Sequence, residues 1–395
     1  MKGSLMRRRL SERDIKAIAE GSAILGTGGG GDPYLGSVYA VRAVREFGEP
    51  ELVSIDELPD DTLAVAAVMI GSPVPMMEKL SLGDEVERAF EGLQSVLGRP
   101  INAMLTSEIG GVNTVISIAI AAERGLPVVD ADAMGRAFPE VQLVTQTIYG
   151  LRVCPLSMAD EHGNVVIINA VDNFWAERLA RPTVIEFGAI SPSLGFPMTK
   201  ADIELASIPG SVSMARDIGE ALLFGDPREG GVLQAVLDRT GGVEVFRGKV
   251  SSVDRHVTGG WAIGDVNIEG SDAFAGDTMR VTFQNENLMA YLGDEPVVCV
   301  PDLITIVEQD TCRAITTERL RFGSRVSVLA MPCDDKWLTP AGLALAGPRH
   351  FGYDVDYAPY AGRRPSPGLA PNLGSGPETT AAPMTAPATS DATRS

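Results

Sequence analysis

The sequence predicts an α/β N-terminal domain, a parallel or mixed sheet covered by helices, followed by a β-rich C-terminal domain. Three observations predict it. Apolar strand-like runs alternate with helix-periodic segments over the first 165 or so residues, the rhythm of a sheet buried under helices. From about Gly242 the chain turns to β-branched runs separated by Gly and Asp turns. From Arg364 it is Pro, Ala, Thr, Gly and Ser without an apolar period, which reads as a disordered tail. The expected division is residues 1–170, residues 171–360 and a low-complexity tail over 361–395.

Each element has its own signal. Glu12 to Leu25 has helical apolar spacing and runs into Gly26-Thr27-Gly28-Gly29-Gly30-Gly31. Asp32-Pro33 then opens a second helix, Leu35 to Phe47. The unbroken apolar run Leu63 to Ile70 reads as a buried strand. Glu85 to Leu97 is helical, Ile101 to Thr106 a strand, Val112 to Glu123 a helix and Leu126 to Asp130 a strand. Helices are expected near Asp172 to Leu179 and Met214 to Leu223. In the second half, strands are expected at Val243 to Val253, Gly260 to Glu269, Thr278 to Gln284 and Val297 to Glu308.

Bulk properties narrow the function. The chain has 395 residues, 45% hydrophobic and 22% charged, with a net charge of −19. Such acidity argues against nucleic acid and against an anionic membrane. No run reaches the roughly 18 apolar residues of a membrane span. The basic start, Met1 to Arg9, has no apolar stretch behind it, so a cytoplasmic location is expected. Cys154, Cys299, Cys312 and Cys333 are scattered and read as buried apolar filler. A homo-oligomer is expected on general grounds.

The glycine run lacks the Lys-Ser/Thr of a P-loop and follows a helix rather than a strand, so a nucleotide is disfavoured. Glycines also let bare backbone approach a ligand, and Gly28, Gly29, Gly30 and Gly31 are candidate ligand contacts. Ligands of α/β sheets bind beyond the strands' carboxyl ends. Two clusters fall there. Thr106-Ser107-Glu108-Ile109-Gly110-Gly111-Val112-Asn113 offers Glu108 and Asn113, with Ser107 as the best-placed hydroxyl. Asp130-Ala131-Asp132-Ala133-Met134-Gly135-Arg136 offers two carboxylates and a cation. Such a pair needs a raised pKa, a cation or solvent. The cofactor is left open: a divalent metal, if present, would sit at Asp130 and Asp132.

Further along, Gln284-Asn285-Glu286-Asn287 supplies amides suited to a ring carrying N–H and C=O groups. Pro301-Asp302-Leu303-Ile304 sets a carboxylate at the mouth of an apolar strand. Gly347-Pro348-Arg349-His350-Phe351-Gly352-Tyr353 pairs a cation with a histidine. The structural alternatives are helix caps at Ser107 or Glu108 and at Asp130 or Asp132, the latter with Arg136 as ion partner, and a solvated turn at 284–287.

These six blocks, in this order, resemble the S-methyl thiohydantoin desulfurase-like family, long labelled DUF917 and associated with hydantoin utilisation. The resemblance covers about residues 10 to 356. It implies an α/β domain followed by a β-rich domain, and a small heterocyclic substrate of the hydantoin type. It further implies a hydrolase that removes methanethiol from an S-methyl thiohydantoin. On that reading Asp130, Asp132 or Glu108 is the base and His350 the proton donor. Asn113, Asn285, Glu286, Asn287, Asp302 and the glycine loop would bind the ring, with Arg136 or Arg349 on a substrate carboxylate. The alternatives are a ring-opening hydantoin amidohydrolase, or a subunit of one, and a non-catalytic hydantoin-binding or regulatory protein.

Overall fold

The apolar runs of the first half assemble into a mixed sheet with a parallel centre. The computed structural model describes residues 8–71, 84–225 and 231–363; the expected tail lies outside them from residue 364. The strands are β1 (Arg8–Arg9), β2 (Glu51–Val53), β3 (Ala64–Gly71), β4 (Ala103–Thr106), β5 (Val128–Val129), β6 (Ala131–Asp132), β7 (Leu156–Ala159), β8 (Val165–Ile168) and β9 (Ile190–Met198). All but β6 form one sheet in the order β1-β2-β5-β4-β3-β9-β7-β8. β2, β5, β4 and β3 run parallel, and β1, β9, β7 and β8 are antiparallel to their neighbours. β4 is wholly buried, its apolar Ala103, Met104 and Leu105 covered on both faces and Thr106 buried with them.

Helices α1 (Glu12–Leu25), α2 (Pro33–Phe47), α3 (Asp84–Leu97) and α4 (Asn113–Arg124) share one apolar layer with this sheet. Ser11 and Asp14 form a capping box that starts α1. Asp32 caps α2 by accepting the N–H groups of Tyr34 and Leu35. The opposite face joins α6 (Asn173–Glu186) in a second apolar layer, after the short α5 (Thr145–Ile148). That layer continues into Leu288, Leu303 and Trp337, so one core runs through both halves of the chain. α7 (Lys200–Ala206), β10 (Ile208–Pro209), α8 (Ser211–Phe224) and α9 (Val232–Thr240) follow. β10 pairs with β6.

The second sheet is entirely antiparallel. Its strands are β11 (Val243–Thr258), β12 (Trp261–Gly270), β13 (Thr278–Gln284), β14 (Glu286–Leu292), β15 (Glu295–Cys299), β16 (Leu303–Glu308) and β17 (Arg325–Met331). Their order is β15-β14-β13-β12-β11-β17-β16. The sheet curls toward closure: the Asn287 side chain of β14 donates to the Ile304 carbonyl of β16 at 3.0 Å.

Several boundaries differ from expectation for physical reasons. The run Val297 to Glu308 is two strands, because Pro301 supplies no N–H for a ladder. The polar run 284–287 is strand apart from Asn285, which makes the corner alone at φ +56°. The run Leu126 to Asp130 is shorter, and β6 begins just beyond Asp130. β9 brings residues from beyond 170 back into the first sheet. Among the described residues no helix is long and apolar enough to cross a membrane. Cys299, Cys312 and Cys333 are buried and Cys154 is partly so.

Candidate active site

The site begins at the glycine run. Gly28, Gly30 and Gly31 take positive φ, which glycine adopts without strain, and Thr27 takes it as well, which a β-branched residue rarely does. The loop is stitched from three sides. The carbonyls of Thr27, Gly28 and Gly30 accept the N–H groups of Asn287, Thr317 and Val112, each at 2.8 Å. A Cβ on Gly30 would lie 2.4 Å from the Cα of Gly110, so two backbones touch there. A Cβ on Gly29 would lie 1.8 Å from Oε1 of Glu286. Among the described residues no acceptor meets the N–H groups of Gly30 and Gly31.

Beside the loop is an open-mouthed cavity of about 70 Å³. Gly29, Gly30, Gly31, Ser107, Glu108 and Asn113 line it from the N-terminal region, Asn285 and Glu286 from the C-terminal one. Met69, Phe138, Val153 and Phe196 give it apolar walls. The cavity therefore lies on the seam between the two sheets.

Two carboxyl groups dominate it. Glu108 follows β4 and is buried. Its Oε1 accepts from the Asn113 amide, and its Oε2 from the Phe138 N–H at 3.3 Å. Burial pushes its pKa up to about 7, against the pull of those two hydrogen bonds. Glu286 opens β14 and is also buried, and its Oε2 has no hydrogen-bond partner. Burial, and then the charge of Glu108, raise Glu286 well above the ordinary carboxyl range. Each carboxyl discourages the other from ionising, so the pair titrates jointly.

The amides hold this geometry. Asn113 also accepts the Met69 N–H at 2.9 Å, so its amide plane is fixed while it orients Glu108. Asn285 tolerates its left-handed backbone as asparagine does. Its Oδ1 accepts the Ala262 N–H at 2.9 Å, and its carbonyl accepts the Thr317 hydroxyl at 2.6 Å.

Other expected residues do not line the cavity. All five N–H groups of Arg136 are taken by protein oxygens: Ala137, Pro301, Asp302 and Asn287 carbonyls and the Thr27 hydroxyl. No guanidinium donor is left for a substrate carboxylate. Asn287 braces Ile304 and Thr27. Asp302 accepts from the Cys333 N–H, Tyr357 and Arg363. Arg349 is exposed and paired with Asp354 and Asp356, each at 2.7 Å. Gly28 lies against Asn287 and Thr317 instead of the cavity. His350 reaches the cavity only through Glu140, a lining residue 3.6 Å away. Burial would raise Glu140, but His350, the Gln142 amide and the charge of Arg181 together outweigh it and hold its pKa low.

Asp130 and Asp132 also face elsewhere. Asp130 accepts from the Ser213 N–H and hydroxyl at the start of α8. Asp132 accepts the N–H groups of Met134 and Gly135 at 2.8 and 2.6 Å. Burial raises its pKa to about 7 against those bonds. Among the described residues no group of three or more His, Cys, Asp or Glu is arranged to hold a metal ion.

Arg181 lines the cavity and carries little signal in the sequence. Its only local mark is the i,i+4 pair with Glu177 on α6, at 2.7 Å. Nothing in a helical pattern tells which way such a pair faces.

The two halves of this architecture match two family profiles in register. The profile described as S-Me-THD-like, N-terminal domain, matches residues 13–170. The one described as S-Me-THD-like, C-terminal domain, matches residues 171–360. The chain belongs to the S-Me-THD-like family. This is the hydantoin-related enzyme family indicated by the six sequence blocks. A crystal structure of a protein from Chromobacterium violaceum is similar in fold, at 23% identity and a TM-score of 0.75. The match covers 89% of this chain and 99% of that one. No curated protein sequence matches this family member.

Proposed function

We propose that the protein hydrolyses an S-methyl thiohydantoin or a close relative, releasing methanethiol and leaving a hydantoin. The observation that carries this reading is the meeting of Glu108 and Glu286 in one half-apolar cavity, under a glycine that leaves room for the carboxyl. Two carboxyls with elevated, coupled pKa values suit a reaction that needs a base and an acid near neutral pH.

The ring carbon bearing sulfur is an amidine-like electrophile. Glu108, as carboxylate, takes one proton from water while the water oxygen bonds to that carbon. The C=N electrons move to the ring nitrogen, which takes the proton of Glu286. The resulting tetrahedral carbon carries hydroxyl and S-methyl groups. Glu286 then removes the hydroxyl proton as C=O forms, the C–S bond breaks, and the thiolate takes its proton from Glu108. Water is consumed, methanethiol leaves and both carboxyls return to their starting states. Asn285 and the free N–H groups of Gly30 and Gly31 offer donors to the ring carbonyl, where such donors gain strength from the dry surroundings.

Glu108→Gln should lower kcat by about 10²–10⁴-fold, the ordinary worth of a positioned base. A thiol-reactive dye reads methanethiol, and a thermal-shift assay checks that the ring still binds. Wild-type rates in both Glu108→Gln and Glu286→Gln would sink the proposal. An N-carbamoyl acid formed without thiol would point to ring opening instead.

A further inference from the structure

Arg181 is 7% exposed, and three elements fix its guanidinium. Its Nε donates to Oε1 of Glu177 on its own helix at 2.7 Å. Its Nη2 donates to the Pro139 carbonyl at 3.0 Å, which also accepts Trp261 Nε1 at 3.0 Å. The guanidinium carbon sits 4.7 Å from the Trp261 ring centroid. Nη1 is buried and has no hydrogen-bond partner, and the residue lines the cavity. A buried guanidinium nitrogen without an acceptor is unfavourable, which marks a place for one. Nη1 can only donate, so the group that completes it must be an acceptor.

From this geometry we infer that Arg181 binds the ionised N–C=O edge of a hydantoin, so that the cavity holds that ring, once formed, as an anion. The inference rests on the hydantoin-type ring of the preceding reading, not on the S-methyl leaving group. A hydantoin N–H lies between two carbonyls, and its conjugate base spreads the charge over both oxygens. A donor-only nitrogen gains most from the acceptor richest in charge, more so beside apolar walls. Being fixed before binding, the guanidinium loses little freedom on meeting it. The other titratable groups around Arg181 are Glu177 on its helix, Glu140 with His350 from the opposite loops, and Glu108 and Glu286 on the same cavity.

The test compares hydantoin with its N,N′-dimethyl analogue, which cannot ionise, by titration calorimetry between about pH 7 and about pH 9. Ionisation of the cavity's own carboxyls repels the anion and not the neutral analogue, so it works against the expected movement and cannot produce it. In the wild type the ratio should move toward hydantoin by about tenfold or more, the scale of a charge-assisted hydrogen bond. Arg181→Gln should abolish the movement. Arg181→Lys, which keeps the charge and can still pair with Glu177, should keep part of it and serves if the Gln variant does not fold. Equal pH responses of the two compounds in the wild type, or an undiminished response in the folded variants, would overturn the inference. Failure of the wild type to bind hydantoin at all would overturn it together with the hydantoin-type ring. Absent methanethiol release with hydantoin binding intact would remove only the preceding proposal.

Discussion

Arg136 and Arg181 are both almost wholly buried, yet their surroundings set them apart. Arg136 spends all five N–H groups on protein oxygens, four of them carbonyls. It ties the glycine loop to β14 and to the turn before β16, and its guanidinium lies 4.3 Å from the Phe138 ring centroid. Arg181 is held as firmly but keeps one nitrogen unmatched on a cavity. A buried cation with every donor matched is a cross-link, whereas one with a donor left over is a socket. The carboxyls divide the same way. Asp130 spends both oxygens on Ser213, while Glu286 keeps one free beside the cavity.

The largest test of the contrast is stability. Arg136→Met strands four carbonyls in the interior and should lower unfolding free energy by on the order of 3–5 kcal/mol, as loss of a buried charged partner does. Arg181→Gln keeps an amide donor for Glu177 and leaves the Pro139 carbonyl paired with Trp261, so it should cost less in the same urea titration. Equal losses would break the distinction between cross-link and socket.

Gly29→Ala probes the socket side. Gly29 does not have positive φ, so alanine is allowed by the backbone, and the atoms nearest the new methyl are Oε1, Cδ and Cγ of Glu286. The carboxyl must move, and turnover should fall by up to about 10²-fold with little change in melting temperature. Gly30→Ala is the contrasting case, because it strikes the backbone of Gly110 at positive φ and should cost stability as well.

A smaller effect sharpens the comparison through pH. Glu108 and Asp132 are both raised to about 7 in the fold. Between their unfolded values and about 7 the native state holds more protons than the unfolded chain. Their contribution to stability is therefore complete at the acid end and is lost as pH rises through that window. Activity should run the other way, rising as Glu108 ionises. Chemical denaturation beside a pH–rate profile should show opposite slopes. Asp132→Asn should flatten the stability slope alone, Glu108→Gln both. The smallest effect belongs to Arg349→Ala, whose exposed ion pairs with Asp354 and Asp356 should leave turnover and melting temperature unchanged.

Much of this was legible from residue order. Periodicity located α1 to α4, α6 and α8 but not α5, α7 or α9, and it located the parallel centre of the first sheet, since a strand apolar at every position must be covered on both faces. Glu108, Asn113 and Glu286 were legible because glycines and strand ends surround them. What was hidden depends on direction. Asp132 and Glu108 both follow apolar strands, but Asp132 turns back to accept its own next N–H groups. β14 was masked by its polar opening residues, which read as a turn until Asn285 alone is seen to bend. β9, Ile190–Met198, carries two prolines, two serines and a glycine, a composition that hides a strand buried over most of its length. Arg181 shows only as half of a helical ion pair; its meaning comes from Pro139 and Trp261, which lie 42 and 80 positions away.

The contact between Gly30 and Gly110 carries a consequence for the genetics of this fold. Where a bulky substitution strikes a side chain, a second mutation that shrinks the neighbour can relieve it. Here each glycine is blocked by the other's Cα, and no residue is smaller than glycine. A change at either position has no suppressor at the other. The loop and the turn after β4 can drift in sequence around this point, but the point itself admits no compensated path.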